Sequence, residues 1–174
     1  MSSKTAYFHL PGLFEFYELY KVFLPIFREH REYFYDWCDI GSIYGSPMDC
    51  IWSGGRVEVG EAETWKVLNL MQEYGISARL TFSNSLLKEE HLSDKICNDI
   101  CSLFAQNKSE KTNQPRINIQ NTSMESCGTQ NQKIINSYVS NGVIVHSDLL
   151  LNYLKKNYPA VSYTHLTLPT ILRV

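Results

Sequence analysis

Three stretches carry side chains whose types and spacing could do chemistry, and each follows a run that reads as a β-strand. The first runs from Tyr44 to Arg56, YGSPMDCIWSGGR, and includes Asp49. Its Ser53-Gly54-Gly55 turn can aim backbone N–H groups at an anion, with Arg56 adding a bidentate guanidinium and Trp52 a flat apolar wall. That set suits a phosphate or carboxylate substrate. A long βα loop that needs glycines to turn, with Arg56 paired to a nearby acid, would use the same residues. The second stretch, Thr81-Phe82-Ser83-Asn84, ends in an amide that can donate to and accept from a substrate, or close an Asx turn. The third, His146-Ser147-Asp148, places an imidazole at a strand terminus, where proton transfer or metal ligation occurs. Ser147 or Asp148 could equally cap the helix that follows.

The candidate catalytic residues are therefore His146 and Asn84, and the candidate substrate-binding residues are Tyr44, Trp52, Gly54, Gly55 and Arg56. His9, His30 and His91 have no evident partners in sequence. There is no HExxH pair and no visible nucleophile–base pair, and the cofactor stays unknown. Arg79 lies inside the second strand. If it faces a barrel interior it needs an anionic partner, and otherwise it faces solvent near the helices.

Five cysteines, Cys38, Cys50, Cys97, Cys101 and Cys127, are odd in number and widely spaced. With no apolar signal segment in MSSKTAYFHLPG, they read as free thiols in a reducing compartment, and the expected location is cytoplasmic. Cys97 and Cys101, four apart on a helix, share a face. They read as buried core thiols rather than metal ligands, since no second Cys/His pair has matching spacing. The CxxxCxxC of radical S-adenosylmethionine enzymes is absent.

The formal charge is −2, with 44% hydrophobic residues. That composition belongs to a core-forming chain and gives no electrostatic case for nucleic acid or an anionic membrane. No apolar run approaches the roughly 18 residues that span a bilayer. A small-molecule or peptide substrate is the expected partner, and the oligomeric state is open.

Alternating elements must position the candidate residues. Pro11-Gly12 opens an aromatic helical segment, Leu13–Phe34, with a polar stripe of Glu15, Glu18, Lys21, Arg28 and Glu32 and with its other sides buried. Pro25 would kink it or start a second helix. Asp39–Tyr44 reads as a strand, Glu61–Tyr74 as a helix stopped by Gly75, and Ile76–Phe82 as a strand. Glu89–Gln106 follows as a helix with Leu92, Ile96, Ile100 and Leu103 on its buried face. Residues 107–132 are rich in Lys, Asn, Gln, Ser and Thr and read as an exposed polar insertion on the face opposite the site. Lys133–Val139 would complete the interrupted helix, Val143–His146 is a strand, and Asp148–Asn157 is a helix. The fold expected is α/β: N-terminal helices, then three βα units of a truncated parallel (β/α) barrel. Half of a doubly wound sheet is the other architecture, but no GxGxxG or GxxxxGK[ST] follows the first strand.

The segments IGSIYGSPMDCIWSGGR, ISARLTFSNSLL and NGVIVHSDLLLNYLKKNYP resemble an uncharacterised bacterial family of (β/α)-barrel proteins. The last of them is also similar to the βα repeat of collagenase-like U32 peptidases. The resemblance implies a substrate site at the carboxyl ends of the strands and an activity that is hydrolase- or peptidase-like. The Cys-rich U32 signature is absent here, so peptidase activity is carried onto no residue, and the polar insertion departs from the family's direct helix-to-strand connection. A non-catalytic barrel that binds a ligand or partner, or a truncated product without function, are the alternatives.

Val161–Val174, VSYTHLTLPTILRV, resembles a translated transposase mosaic-end sequencing adapter. The adapter codons GTC TCT TAT ACA CAT CTG ACG CTG CCG ACG spell Val161–Thr170 without a mismatch. The resemblance implies a natural barrel segment over 1–160 and an adapter-encoded tail over 161–174. Its first residues, Val161–Leu166, nevertheless alternate as a further strand would.

Overall fold

A computed structural model describes residues 5–54, 63–106, 108–110 and 138–166. Strand β1 (Ala6–Pro11) leads into helix α1 (Tyr17–Glu29), and β2 (Cys38–Gly45) leads through a 3-10 turn at Ile51–Ser53 to α2 (Thr64–Tyr74). Strand β3 (Ser77–Phe82) leads through a second 3-10 turn, Glu89–Ser93, to α3 (Lys95–Gln106). A short antiparallel pair, β4 (Lys108–Glu110) and β5 (Tyr138–Ser140), separates α3 from β6 (Gly142–Val145). Helix α4 (Asp148–Asn157) and β7 (Ser162–His165) follow.

The main sheet has the order β1-β2-β3-β6-β7, and every neighbouring pair in it is parallel. Spatial order thus follows chain order without reversal. Parallel neighbours joined through helices require right-handed crossovers, and successive crossovers in one direction pass over the same face of the sheet. The burial pattern agrees: Ile43, Ala78, Leu80, Phe82, Val143 and Val145 alternate along their strands into one core. Against them pack Leu24 of α1, Val67 and Met71 of α2, Cys97, Cys101 and Phe104 of α3, and Leu150 and Leu154 of α4.

Several expectations change at this level. The chain does not begin with helices, because Ala6–Pro11 is a strand paired with β2. The described residues therefore form four βα units and a fifth strand in the main sheet, in place of three units. Helix α1 runs through Pro25. It buries only Tyr20 and Leu24 along its length, while Leu19, Val22 and Ile26 are exposed, so the expected burial on all sides but one fails. The inward face of α3 is Cys97, Cys101 and Phe104; of the expected stripe, Leu92 and Ile100 pack partly buried against the core, while Ile96 and Leu103 are exposed. Tyr138-Val139, expected as helix, belongs to β5. Gly75 stops α2 as expected, taking a left-handed φ of +63° that other residues resist.

Candidate functional site

The carboxyl ends of β2, β3, β6 and β7 meet at one end of the sheet, and their loops are tied to one another. From the loop after β3, the Asn84 N–H donates to the Trp52 carbonyl (3.1 Å) and its Nδ2 to the Ile51 carbonyl (2.8 Å). The Asn84 Oδ1 accepts the Leu86 N–H (2.9 Å), which closes an Asx turn. Ser83 Oγ donates to the Ser53 carbonyl (3.1 Å), and Ser53 Oγ donates to the Thr81 carbonyl (3.1 Å). The loops after β2 and β3 thus form one hydrogen-bonded unit, in which Asn84 spends part of its capacity on the backbone.

Trp52 is fully buried. Its indole packs edge-on against Phe82 and Tyr153, and its Nε1 donates to the His91 carbonyl (2.8 Å). The ring has no free face to offer a ligand, so the wall anticipated from sequence is a packing element beneath the site. Gly54 is exposed and left-handed at φ +85°, closing the 3-10 turn. Gly55 and Arg56 lie outside the described residues. Tyr44 is half-buried near the end of β2, with Pro11 and Arg79 as its register partners.

His146 stands just past β6. Its N–H donates to the Phe82 carbonyl (3.1 Å), and its Nδ1 lies 3.2 Å from the Leu166 carbonyl oxygen, so an Nδ1–H would donate there. His165, at the end of β7, brings its Nε2 to 3.3 Å from both the His146 carbonyl oxygen and Asp148 Oδ1. His165 thus bridges the His146 backbone and the Asp148 carboxylate. Among the described residues, no group of three or more His, Cys, Asp or Glu is disposed to hold a metal ion. Ser147 takes the capping role: its Oγ accepts the Leu150 N–H at the start of α4 (3.4 Å).

No family model, curated protein or solved structure matches this chain.

The sulfur chemistry departs from expectation. Cys50 and Cys97 form a disulfide, with Cα atoms 5.3 Å apart, while Cys38 and Cys101 are free. The bridge removes the free-thiol argument for a reducing compartment, since disulfides persist where conditions are oxidising. Among the described residues, no helix is long and apolar enough to cross a membrane. Cys101 is buried, and burial pushes its thiol up to about 12, which makes it inert as a nucleophile at neutral pH.

The sheet face away from the helices carries groups that sequence reasoning missed. Alternation assigns to it His9, Ser42, Tyr44, Arg79, Thr81, Gly142 and Thr164. His9 Nδ1 and Ser42 Oγ lie 2.7 Å apart, although His9 had no evident partner in sequence. The signal that could have found it is the strand character of Ala6–Pro11, which was overlooked beside the Pro-Gly that ends it.

Proposed function

We propose that the chain is part of a (β/α)-barrel enzyme whose substrate site lies where the carboxyl ends of β2, β3 and β6 converge. The observation that carries this reading is the unreversed order of five parallel strands, for which right-handed crossovers put the helices on one face. A doubly wound sheet needs a reversal of strand order and helices on both faces, and its ligand binds at that reversal. In a barrel the catalytic residues stand at the carboxyl ends of several strands. His146 is the acid–base group of this proposal, and Asn84 uses its remaining amide hydrogen to orient the substrate. Gly54 follows β2 at this end, and Gly55 and Arg56, next in sequence, are the proposed anion-binding residues. The reaction class is hydrolytic, on a small-molecule or peptide substrate, in keeping with the resemblance to U32-like barrels. On the same reading Val161–Val174 is adapter-encoded, and β7 occupies the edge that another strand of the barrel would take.

The test is hydrolysis of a mixed peptide and ester library by the purified chain, followed by mass spectrometry. The expected result is cleavage that falls at least about 100-fold in His146→Ala, the contribution usual for a positioned acid–base group. Circular dichroism of that variant should remain native. Equal cleavage by His146→Ala, or no cleavage by either protein, would count against the enzymatic reading.

A further inference from the structure

We propose that the sheet face away from the helices binds an oxyanion, the carboxylate or phosphate group of a small molecule, on the guanidinium of Arg79. Arg79 is central on β3, and strand alternation turns it away from the helices. Among the described residues it forms no ion pair. Among the described residues its one hydrogen bond runs from Nη1 to Thr164 Oγ1 (3.0 Å), in the stretch read above as adapter-encoded, and its Nε is covered from solvent with no acceptor, so the inference rests on Arg79, Thr81 and Tyr44 and not on Thr164. A guanidinium is a rigid fork of five donors that stays charged, and one neutral hydroxyl leaves most of that fork unused. Stripping water from such a charge is costly unless an anion replaces it. A planar or tetrahedral oxyanion accepts from two of its N–H groups at once.

The surroundings supply further donors for that anion. Gly142 is the register partner of Arg79 on β6, and a Cβ there would stand 3.4 Å from Arg79 Nη1 and 2.4 Å from Ser162 Oγ. The close approach that requires glycine is therefore to Ser162 of β7, with the guanidinium at contact distance beside it. Tyr44 is the register partner on β2 and puts a phenol on the same face. Thr81, two residues along β3, has a buried hydroxyl without a partner. Two unsatisfied polar groups on one face, with no carboxylate paired to the guanidinium, form a site that lacks its acceptor. The inference does not rest on turnover at His146, because binding is read directly.

The experiment measures melting temperature and binding heat of the full chain with inorganic phosphate and, separately, acetate, each against sodium chloride at matched ionic strength. A saturable rise in melting temperature above the chloride control is expected with at least one probe. Phosphate alone would assign a phosphorylated ligand, acetate alone a carboxylate, and both a general oxyanion cradle. Arg79→Met should abolish the response, and Arg79→Lys, which keeps the charge and loses the fork, should weaken it by about tenfold. Thr164→Asp keeps the arginine and supplies an internal carboxylate beside Nη1. It should raise the melting temperature without added anion and remove the response to phosphate and acetate. That variant decides the matter even if Arg79→Met fails to fold. An equal response in Arg79→Met, or no response above chloride in the wild-type chain, would overturn the proposal.

Discussion

Burial pushes the Cys101 thiol from 9.0 up to about 12, and it pushes the Tyr20 phenol from 10.0 to about 12, helped by neighbouring Tyr44 and Glu15. The Tyr20 hydroxyl also donates to the Pro11 carbonyl, a bond that requires its proton and ties α1 to the end of β1. Both groups are acids that the folded chain holds protonated. In the unfolded chain they lose their protons near their ordinary values, so the native state binds more protons between pH 9 and pH 12. Stability is then fully present below pH 9 and falls as pH rises through that window. Tyr74, Tyr158 and Tyr163, each raised chiefly by burial, add to the same slope. Urea titrations at half-unit steps from pH 8 to pH 12 should show this decline. Cys101→Ala should flatten its lower half, where the thiol alone titrates, and leave the upper half to the tyrosines. A slope from pH 9 to pH 10 that is the same in both proteins would refute the assignment.

At the scale of elements, β4 and β5 bracket the polar insertion. They pair antiparallel with Glu110 opposite Tyr138, so the chain leaves and returns at adjacent positions of one ladder. β5 leads directly into Asn141, which is buried and reaches both neighbours: its Oδ1 accepts the Ala78 N–H (3.1 Å) and its Nδ2 donates to the Phe104 carbonyl (3.4 Å). The flanks are thus fixed by the fold at the amino ends of the strands, away from His146 and Asn84. Replacing residues 111–137 by Asn-Gly, the pair preferred in a two-residue hairpin turn, should preserve the fold. Shortening the loop lowers its closure entropy, so stability should hold or rise by up to about 2 kcal/mol. A chevron-free equilibrium urea curve is sufficient to read this, and a loss of more than about 1 kcal/mol would mean that the insertion contributes contacts of its own. Much of the alternation was legible in sequence, because β2, β3, β6, α2 and α4 each combine a clear period with a clear stop such as Gly75. β1 was not legible. Its six residues are mostly exposed at the sheet edge, so Tyr7 and Phe8 show no inside-outside alternation, and the helical pattern that follows dominates the window. On α3 the expected stripe holds at Leu92 and Ile100 and turns at Ile96 and Leu103, because Cys97 and Cys101, small apolar residues in a core, take the innermost positions. For the site, strand-end placement puts His146 and Asn84 in loops at the carboxyl ends of the strands, and the structure has them there. It had no means of showing that Trp52 lies under the loops, or that Arg79 and His9 share the face away from the helices, since both depend on the pairing of strands far apart in sequence.

For the whole molecule, the consequence of placing all helices on one face is an asymmetric sheet: one side holds the apolar core, the other holds His9, Ser42, Arg79 and Thr81. Parallel sheets are normally covered on both sides, so the stability of this one depends on the helical layer remaining in place. The Cys50–Cys97 bridge acts on that layer. It joins the loop after β2 to the first turn of α3, across 47 residues that include α2 and β3. Closing a loop of that length removes enough entropy from the unfolded chain to be worth about 4 kcal/mol, or about 10 °C in melting temperature for a chain of this size. Both cysteines are fully covered, so a thiol reductant reaches them only when the Trp52 loop lifts from Phe82 and Tyr153. Two measurements follow from this geometry. Alkylation of the urea-unfolded chain should label two fewer cysteines without dithiothreitol than with it. After complete reduction, or in Cys50→Ser/Cys97→Ser, the melting temperature should fall by about 10 °C, with the same loss in both if the bridge is the cause. Equal labelling in the two conditions would remove the bridge. Confirmed reduction with an unchanged melting temperature would instead leave the covering of the core to packing alone, with Trp52 as its anchor.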